Sequence, residues 1–156
     1  MKAHSVLTVL LALTAAVTAQ DAVPKELAPL QGRWIVTSVN GETVDSSAQA
    51  VFRITGDQYM VGQGGKLVER GTVKVDASKK PMALDFIISA GRYQGLTQLG
   101  ILEITSDTLK LYVNTPGATA RPTDFERRDG HDLVIAKKSP GGPEFESRRP
   151  DQFYDL

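Results

Sequence analysis

The feature that most constrains the fold is a series of short apolar segments with a period of two, separated by turn residues about every eight to fifteen positions. In the segment 82–89, the residues of one parity are all apolar: Met82, Leu84, Phe86 and Ile88. The first segment, 31–39, ends at Asn40-Gly41, a dipeptide typical of hairpin turns. Since alternate side chains of a strand point to opposite faces, this pattern predicts strands with one buried face.

The pattern predicts eight strands, at 31–39, 50–55, 59–61, 67–75, 82–89, 96–105, 108–114 and 131–137. The connections are mostly of hairpin length, and no segment has the period of a long helix. A sheet that closes on itself has no unpaired edge, so we expect an all-β, eight-stranded antiparallel up-and-down barrel. A β-sandwich is the alternative, because turn lengths alone do not separate the two architectures.

The N-terminal segment predicts export. Residues 1–19 combine Lys2, an apolar stretch and a small-residue exit that ends at Ala19, which is the layout of a secretory signal peptide. The apolar stretch is shorter than the roughly 18–20 residues that span a bilayer, so we expect cleavage after Ala19 and no integral membrane span. The protein would then be periplasmic or extracellular. Residues 20–30 are expected to form a linker with a short helical turn.

Composition argues against several functional classes. Without Lys2, the chain has 17 basic and 18 acidic residues, and no block of like charge that would favour nucleic acid. Cysteine is absent, and His131 is the one histidine after the predicted signal peptide. We therefore expect no metal site, no cofactor and no catalytic residue, and hence no enzyme.

Two strands of the predicted barrel carry a polar residue beside a glycine on their apolar face. Glu69 precedes Gly71 in this way, and Gln98 precedes Gly100. A polar group beside a missing side chain suits a small ligand cavity. The candidate lining residues are Glu69, Gln98, Tyr59, Phe86 and Tyr112, and Tyr93 is a further aromatic candidate. Alternatively, Gly71 marks a β-bulge that returns Glu69 to solvent.

Gly32 and Trp34 at the start of the first strand resemble the Gly-x-Trp motif of the lipocalins, in which these residues open the barrel and plug one end. Further motifs make residues 27–138 similar to the secreted lipocalin-like domain of unknown function that is abundant in planctomycete bacteria. These motifs are Leu30-Gln31-Gly32-x-Trp34, Gly-Glu-x-Val at 41–44, Lys79-Lys80-Pro81, Gly100-Ile101, Asp107-Thr108-Leu109-Lys110-Leu111 and Arg121-Pro122-Thr123-x-Phe125. The resemblance implies a lipocalin-like barrel outside the cytoplasm and carries over no catalytic residue. Arg121 is the candidate that would pack on Trp34.

The sequence leaves two functions open. The first is non-catalytic binding of a small, largely apolar ligand inside the barrel. The second is a structural or interaction role in the cell envelope, with a solid barrel and a protein partner. The segment 139–156, rich in Pro, Gly and Arg, is expected to be a flexible tail.

Overall fold

A computed structural model describes residues 22–141, which form a 3₁₀ helix followed by nine strands. The predicted signal peptide and most of the predicted tail, residues 142–156, lie outside this range. The 3₁₀ helix is Lys25–Leu30, within the segment expected to hold a helical turn. The strands are β1 (Gly32–Val39), β2 (Glu42–Thr43), β3 (Ala50–Thr55), β4 (Gln58–Gln63), β5 (Lys66–Asp76), β6 (Met82–Gly91), β7 (Thr97–Ile104), β8 (Thr108–Asn114) and β9 (His131–Ser139).

The sheet closes into a barrel. From β3 to β9, each strand pairs antiparallel with the next one along the chain, and β1 pairs with both β3 and β9. Trp34, for example, lies opposite Phe52 on one side and Lys138 on the other. The two-residue β2 pairs only with the end of β1, so eight strands form the barrel. The predicted up-and-down, lipocalin-like barrel is confirmed, and the β-sandwich alternative is wrong.

Strand ends differ from the prediction where polar residues continue a hydrogen-bonded ladder. β3 and β8 have the predicted bounds, whereas β4 extends from Gln58 to Gln63 because these glutamines pair with Thr55 and Ala50. Likewise β9 continues to Ser139, which pairs with Arg33. Apolar periodicity cannot reveal such ends, since backbone pairing does not require an apolar side chain.

One end of the barrel is closed by the 3₁₀ helix and Trp34. Gly32 has a φ of +104°, a conformation that L side chains rarely adopt, and it turns the chain from the helix into β1. The Trp34 indole is fully buried and its Nε1 donates a hydrogen bond of 2.8 Å to the carbonyl of Leu30. Leu27 and Leu30 of the helix are buried in the same cluster. Gly32 and Trp34 therefore occupy the positions that the resemblance implied.

We expect Trp34→Ala to lower the free energy of unfolding by about 3–5 kcal/mol, because it removes the indole from a fully buried site. Trp34→Phe should cost less in packing but should leave the Leu30 carbonyl unpaired, at a cost of about 1–3 kcal/mol. Urea denaturation followed by circular dichroism measures both. Thr55→Ala, at an exposed position near the same end, is the control. A Trp34→Ala loss no larger than that of the control would contradict the plug role.

Candidate functional site

The other end of the barrel contains a cavity of about 990 Å³. It lies where β1 ends and where β3 and β9 begin, which is the end opposite Trp34. Six valines, of β1, β4, β5, β8 and β9, contribute to its wall, together with Ala50 and Phe52 of β3. Such a volume and apolar lining are typical of small-molecule sites.

Glu69 lines this cavity. The alternative in which Gly71 forms a bulge that turns Glu69 outward is wrong, because the bulged residues of these strand pairs are at other positions. The register places one extra residue at Val68 of β5, relative to β4, and another at Ser89 of β6, relative to β5. From Glu69 to Val75 the alternation of β5 is therefore unbroken. Glu69 consequently keeps the same facing as the core residue Val73.

The space beside Gly71 is occupied by an aromatic ring. A Cβ atom on Gly71 would lie 2.8 Å from Cε1 of Tyr59 and 2.0 Å from the Ile87 carbonyl oxygen. The hydroxyl of Tyr59 donates a hydrogen bond of 2.9 Å to Oε1 of Glu69. The sequence predicts that the missing side chain of Gly71 leaves room for a ligand. This prediction is wrong, because the Tyr59 ring occupies that space. The absence of a side chain at Gly71 admits the ring that positions Glu69.

Burial shifts the ionisation of both groups. Removal from water raises the pKa of Glu69 above its usual range, while the hydrogen bond from Tyr59 partly offsets this shift. Burial also raises the pKa of Tyr59, and the neighbouring Glu69 carboxylate adds to the increase. The phenol therefore stays protonated as a hydrogen-bond donor, and Glu69 holds its proton more tightly than an exposed glutamate.

Tyr59 and Phe86 were predicted to line the cavity and do not. Both are buried in the core, with ring centroids 4.7 Å apart, and neither lines the cavity directly. Phe86 also stacks at 6.5 Å on Phe52, which does line it. The two predicted aromatic residues thus separate the cavity from the filled half of the barrel.

Gln98 lies in the cavity wall, as predicted, and its Nε2 donates a hydrogen bond of 2.9 Å to the carbonyl of Asn114. The neighbouring Gly100 leaves no open space. A Cβ there would lie 2.8 Å from Cγ1 of Val113. As at Gly71, a side chain from the paired strand fills the position.

Tyr112 was predicted to line the cavity and does not. It is fully buried on the outer wall, where the segment 115–130 covers it. Its hydroxyl donates to the Glu126 carbonyl at 2.6 Å and accepts from the Arg128 backbone N–H at 2.8 Å. The physical reason is strand alternation: Leu111 and Val113 face inward, so Tyr112 between them must face outward.

Arg121 does not pack on Trp34. Its guanidinium lies on the outer wall, where it donates to the carbonyls of Leu84 and Gly100 and pairs with Asp85. The cation over the Trp34 ring is Lys138 of β9, with Nζ 5.2 Å from the ring centroid. β9 lies next to β1, whereas the segment that carries Arg121 crosses β6 and β7.

Two charged residues at the mouth were missed as site residues. Arg92 and Asp132 line the cavity and are exposed. The Arg92 guanidinium lies 5.6 Å from the ring centroid of Tyr93, and Asp132 accepts a hydrogen bond of 2.8 Å from Asn40. The chain order could have located them, because successive connections of an up-and-down barrel alternate between its two ends.

A second depression, of about 530 Å³, lies on the outer wall between the β5–β6 turn and residues 121–123. It contains Arg121, but that guanidinium is already held by Asp85 and two carbonyls. We place the candidate site inside the barrel, where the carboxyl of Glu69 faces an apolar space.

Within residues 22–141, no group of three or more His, Cys, Asp and Glu side chains is arranged to hold a metal ion. The same part of the chain contains no helix with the length and apolar character needed to cross a bilayer.

We expect the stability difference between wild type and Glu69→Gln to depend on pH. The folded protein holds the Glu69 proton more tightly than the unfolded chain does, so this carboxyl contributes most stability below its ordinary pKa of 4.5. That contribution is lost as pH rises through the raised folded-state pKa. Glutamine does not titrate, so the free energy of unfolding of the variant should rise relative to that of wild type as pH increases from 4.5 through the raised folded-state pKa.

Urea denaturation over this pH range measures the difference. Glu42→Gln removes an exposed carboxylate from β2 and is the matched control. A difference between Glu69→Gln and wild type that is constant with pH would contradict the burial argument.

Tyr112→Phe should loosen the segment 115–130, because it removes both hydrogen bonds that the hydroxyl makes with this segment. With a local cost of about 1–3 kcal/mol, we expect trypsin to cleave at Arg127 or Arg128 about tenfold faster or more. Limited proteolysis with mass-spectrometric identification of the fragments checks this. Tyr93→Phe is the control, since Tyr93 is exposed. Equal cleavage rates in the two variants would show that the hydroxyl does not hold the segment.

No family model, curated protein or solved structure matches this chain. Membership of the planctomycete-type lipocalin-like family therefore stays a prediction from the sequence motifs.

Proposed function

We propose that this protein is an exported, non-catalytic binding protein that holds a small, largely apolar ligand in the open end of its barrel. The observation that carries the proposal is the cavity of about 990 Å³ with largely apolar walls. Its half-buried polar side chains are Glu69 and Gln98, whereas Gln63, Arg92 and Asp132 are exposed. Export is supported by the signal-like pattern of residues 1–19.

The composition of the wall favours an apolar ligand. Burial of apolar surface contributes about 25 cal/mol per Å², and valines, Ala50 and Phe52 supply that surface here. Glu69 and Gln98 provide the few polar contacts that orient a ligand in such a site. The fixed barrel limits the rearrangement that binding would require, which lowers its entropic cost.

The envelope-interaction alternative assumed a solid barrel. An interior with a cavity of this size at one end is not the close-packed core that such a barrel would have. The cavity therefore weighs in favour of ligand binding.

Filling the cavity should weaken binding. We expect Ala50→Phe and Val134→Phe to reduce the affinity for the neutral fluorescent probe N-phenyl-naphthylamine by about tenfold or more, because the larger rings occupy the ligand volume. Thr55→Phe adds a ring at an exposed position near the closed end and should leave the affinity unchanged.

Fluorescence titration of the three variants and wild type measures the effect. If both cavity variants bind like wild type, the probe site is not the cavity. Non-denaturing mass spectrometry of the protein purified from its own host tests the same proposal with the natural ligand. A retained small molecule would support ligand binding, whereas a bare chain that co-purifies with a protein partner would favour the envelope role.

A further inference from the structure

Three charged side chains line the cavity, and Glu69 differs from the other two. Arg92 and Asp132 are exposed at the mouth, where each already has a neighbour in the protein. Glu69 is half-buried among apolar residues. With all three groups ionised, the side chains that line the cavity have a net charge of −1. The Glu69 carboxylate is the least exposed to water of the three charged groups.

The carboxyl of Glu69 has unused acceptor capacity. Within residues 22–141, its recorded hydrogen-bond partner is the Tyr59 hydroxyl on Oε1. A carboxylate has about four acceptor sites. Within residues 22–141, the second oxygen of Glu69 has no hydrogen-bond partner, and no unpartnered side-chain oxygen of a residue in this range is fully buried. The second oxygen is therefore accessible, and since Glu69 lines the cavity, a ligand can reach it from there.

No cation of the described chain forms an ion pair with Glu69. The ion pairs of residues 22–141 involve Asp85, Glu103, Asp107, Asp124 and Glu126 instead. A carboxylate removed from water is costly unless it is paired, and here burial raises its pKa. A ligand that brings a positive charge would supply the missing partner.

The chemistry of the possible head groups separates them. A protonated amine forms a charge-assisted hydrogen bond with a carboxylate, about twice as strong as a bond between neutral groups. A hydroxyl can donate to Glu69 but brings no charge. A ligand carboxylate would place like charges together in an apolar space, which is unfavourable.

We infer that the ligand is an amphiphilic amine, whose ammonium group binds Glu69 while its apolar part lies against the valine-rich wall. This inference rests on the proposed function, because it names the chemical class of the ligand for the same cavity. Tyr59 holds one oxygen of Glu69 and leaves the other for the ammonium group. Phe52, which lines the cavity, provides an apolar surface for the rest of the ligand.

Isothermal titration of the full chain with octylamine, octanol and octanoate tests the inference, because the three probes share one chain and differ in the head group. Wild type should bind octylamine at least about tenfold more tightly than octanol, and octanoate most weakly. Glu69→Gln keeps the size of the side chain and an acceptor for Tyr59, and it should abolish the preference for the amine. Glu42→Gln removes an exposed carboxylate that does not line the cavity, and it should keep that preference.

The outcomes separate the inference from the proposed function. Equal affinity of wild type for octylamine and octanol, a preference for octanoate, or an amine preference that survives in Glu69→Gln would overturn the inference while leaving a ligand-binding barrel. If wild type binds none of the three probes and does not bind the neutral fluorescent probe either, the proposed function itself is overturned. The comparison of probes on wild type needs no variant, so it stands even if Glu69→Gln folds poorly.

Discussion

The pairing of β1 with β9 is the constraint on which the rest of the structure depends. Six residue pairs join these strands, from Arg33 opposite Ser139 to Val39 opposite Val134, with one register shift between Val36 and Ser38. Strands distant in sequence thereby close the sheet, and no edge of the barrel is left unpaired. Closure also gives the barrel an interior. The alternation of side chains along each strand then determines which of them pack in the core and which contact solvent.

The size of the inward-facing side chains determines which part of the barrel interior is filled. Along β1, Trp34 lies at the closed end, and Val36 and Val39 lie toward the mouth. β8 follows the same gradient from Leu109 to Val113. Near the mouth, small side chains cannot meet across the barrel, so a cavity forms there. The aromatic pair of Tyr59 and Phe86 marks the boundary.

The sequence was sufficient for the architecture because periodicity and turns are local properties. Eight of the strands and their up-and-down order follow from residues close together in the chain, whereas the two-residue β2 was not predicted. The facing of Glu69 stayed open in the sequence, and the end-closing positions of Gly32 and Trp34 were implied by the resemblance to the lipocalins. The bulges at Val68 and Ser89 left no recognisable pattern, since any residue can be the extra one in a ladder. Tyr112 could have been placed correctly from the alternation of its own strand. The position of Arg121 depends on the path of a long connection across the outer wall, which no local pattern encodes.

The separation of a filled end from an open end has a consequence for how this protein can change over evolutionary time. The residues that anchor the fold, such as Trp34 and Leu30, lie far from those that surround the cavity. Side chains at the mouth of the cavity can therefore be exchanged with little effect on folding. A scaffold built in this way can acquire new binding preferences through drift at one rim while its opposite half is conserved by the demands of packing.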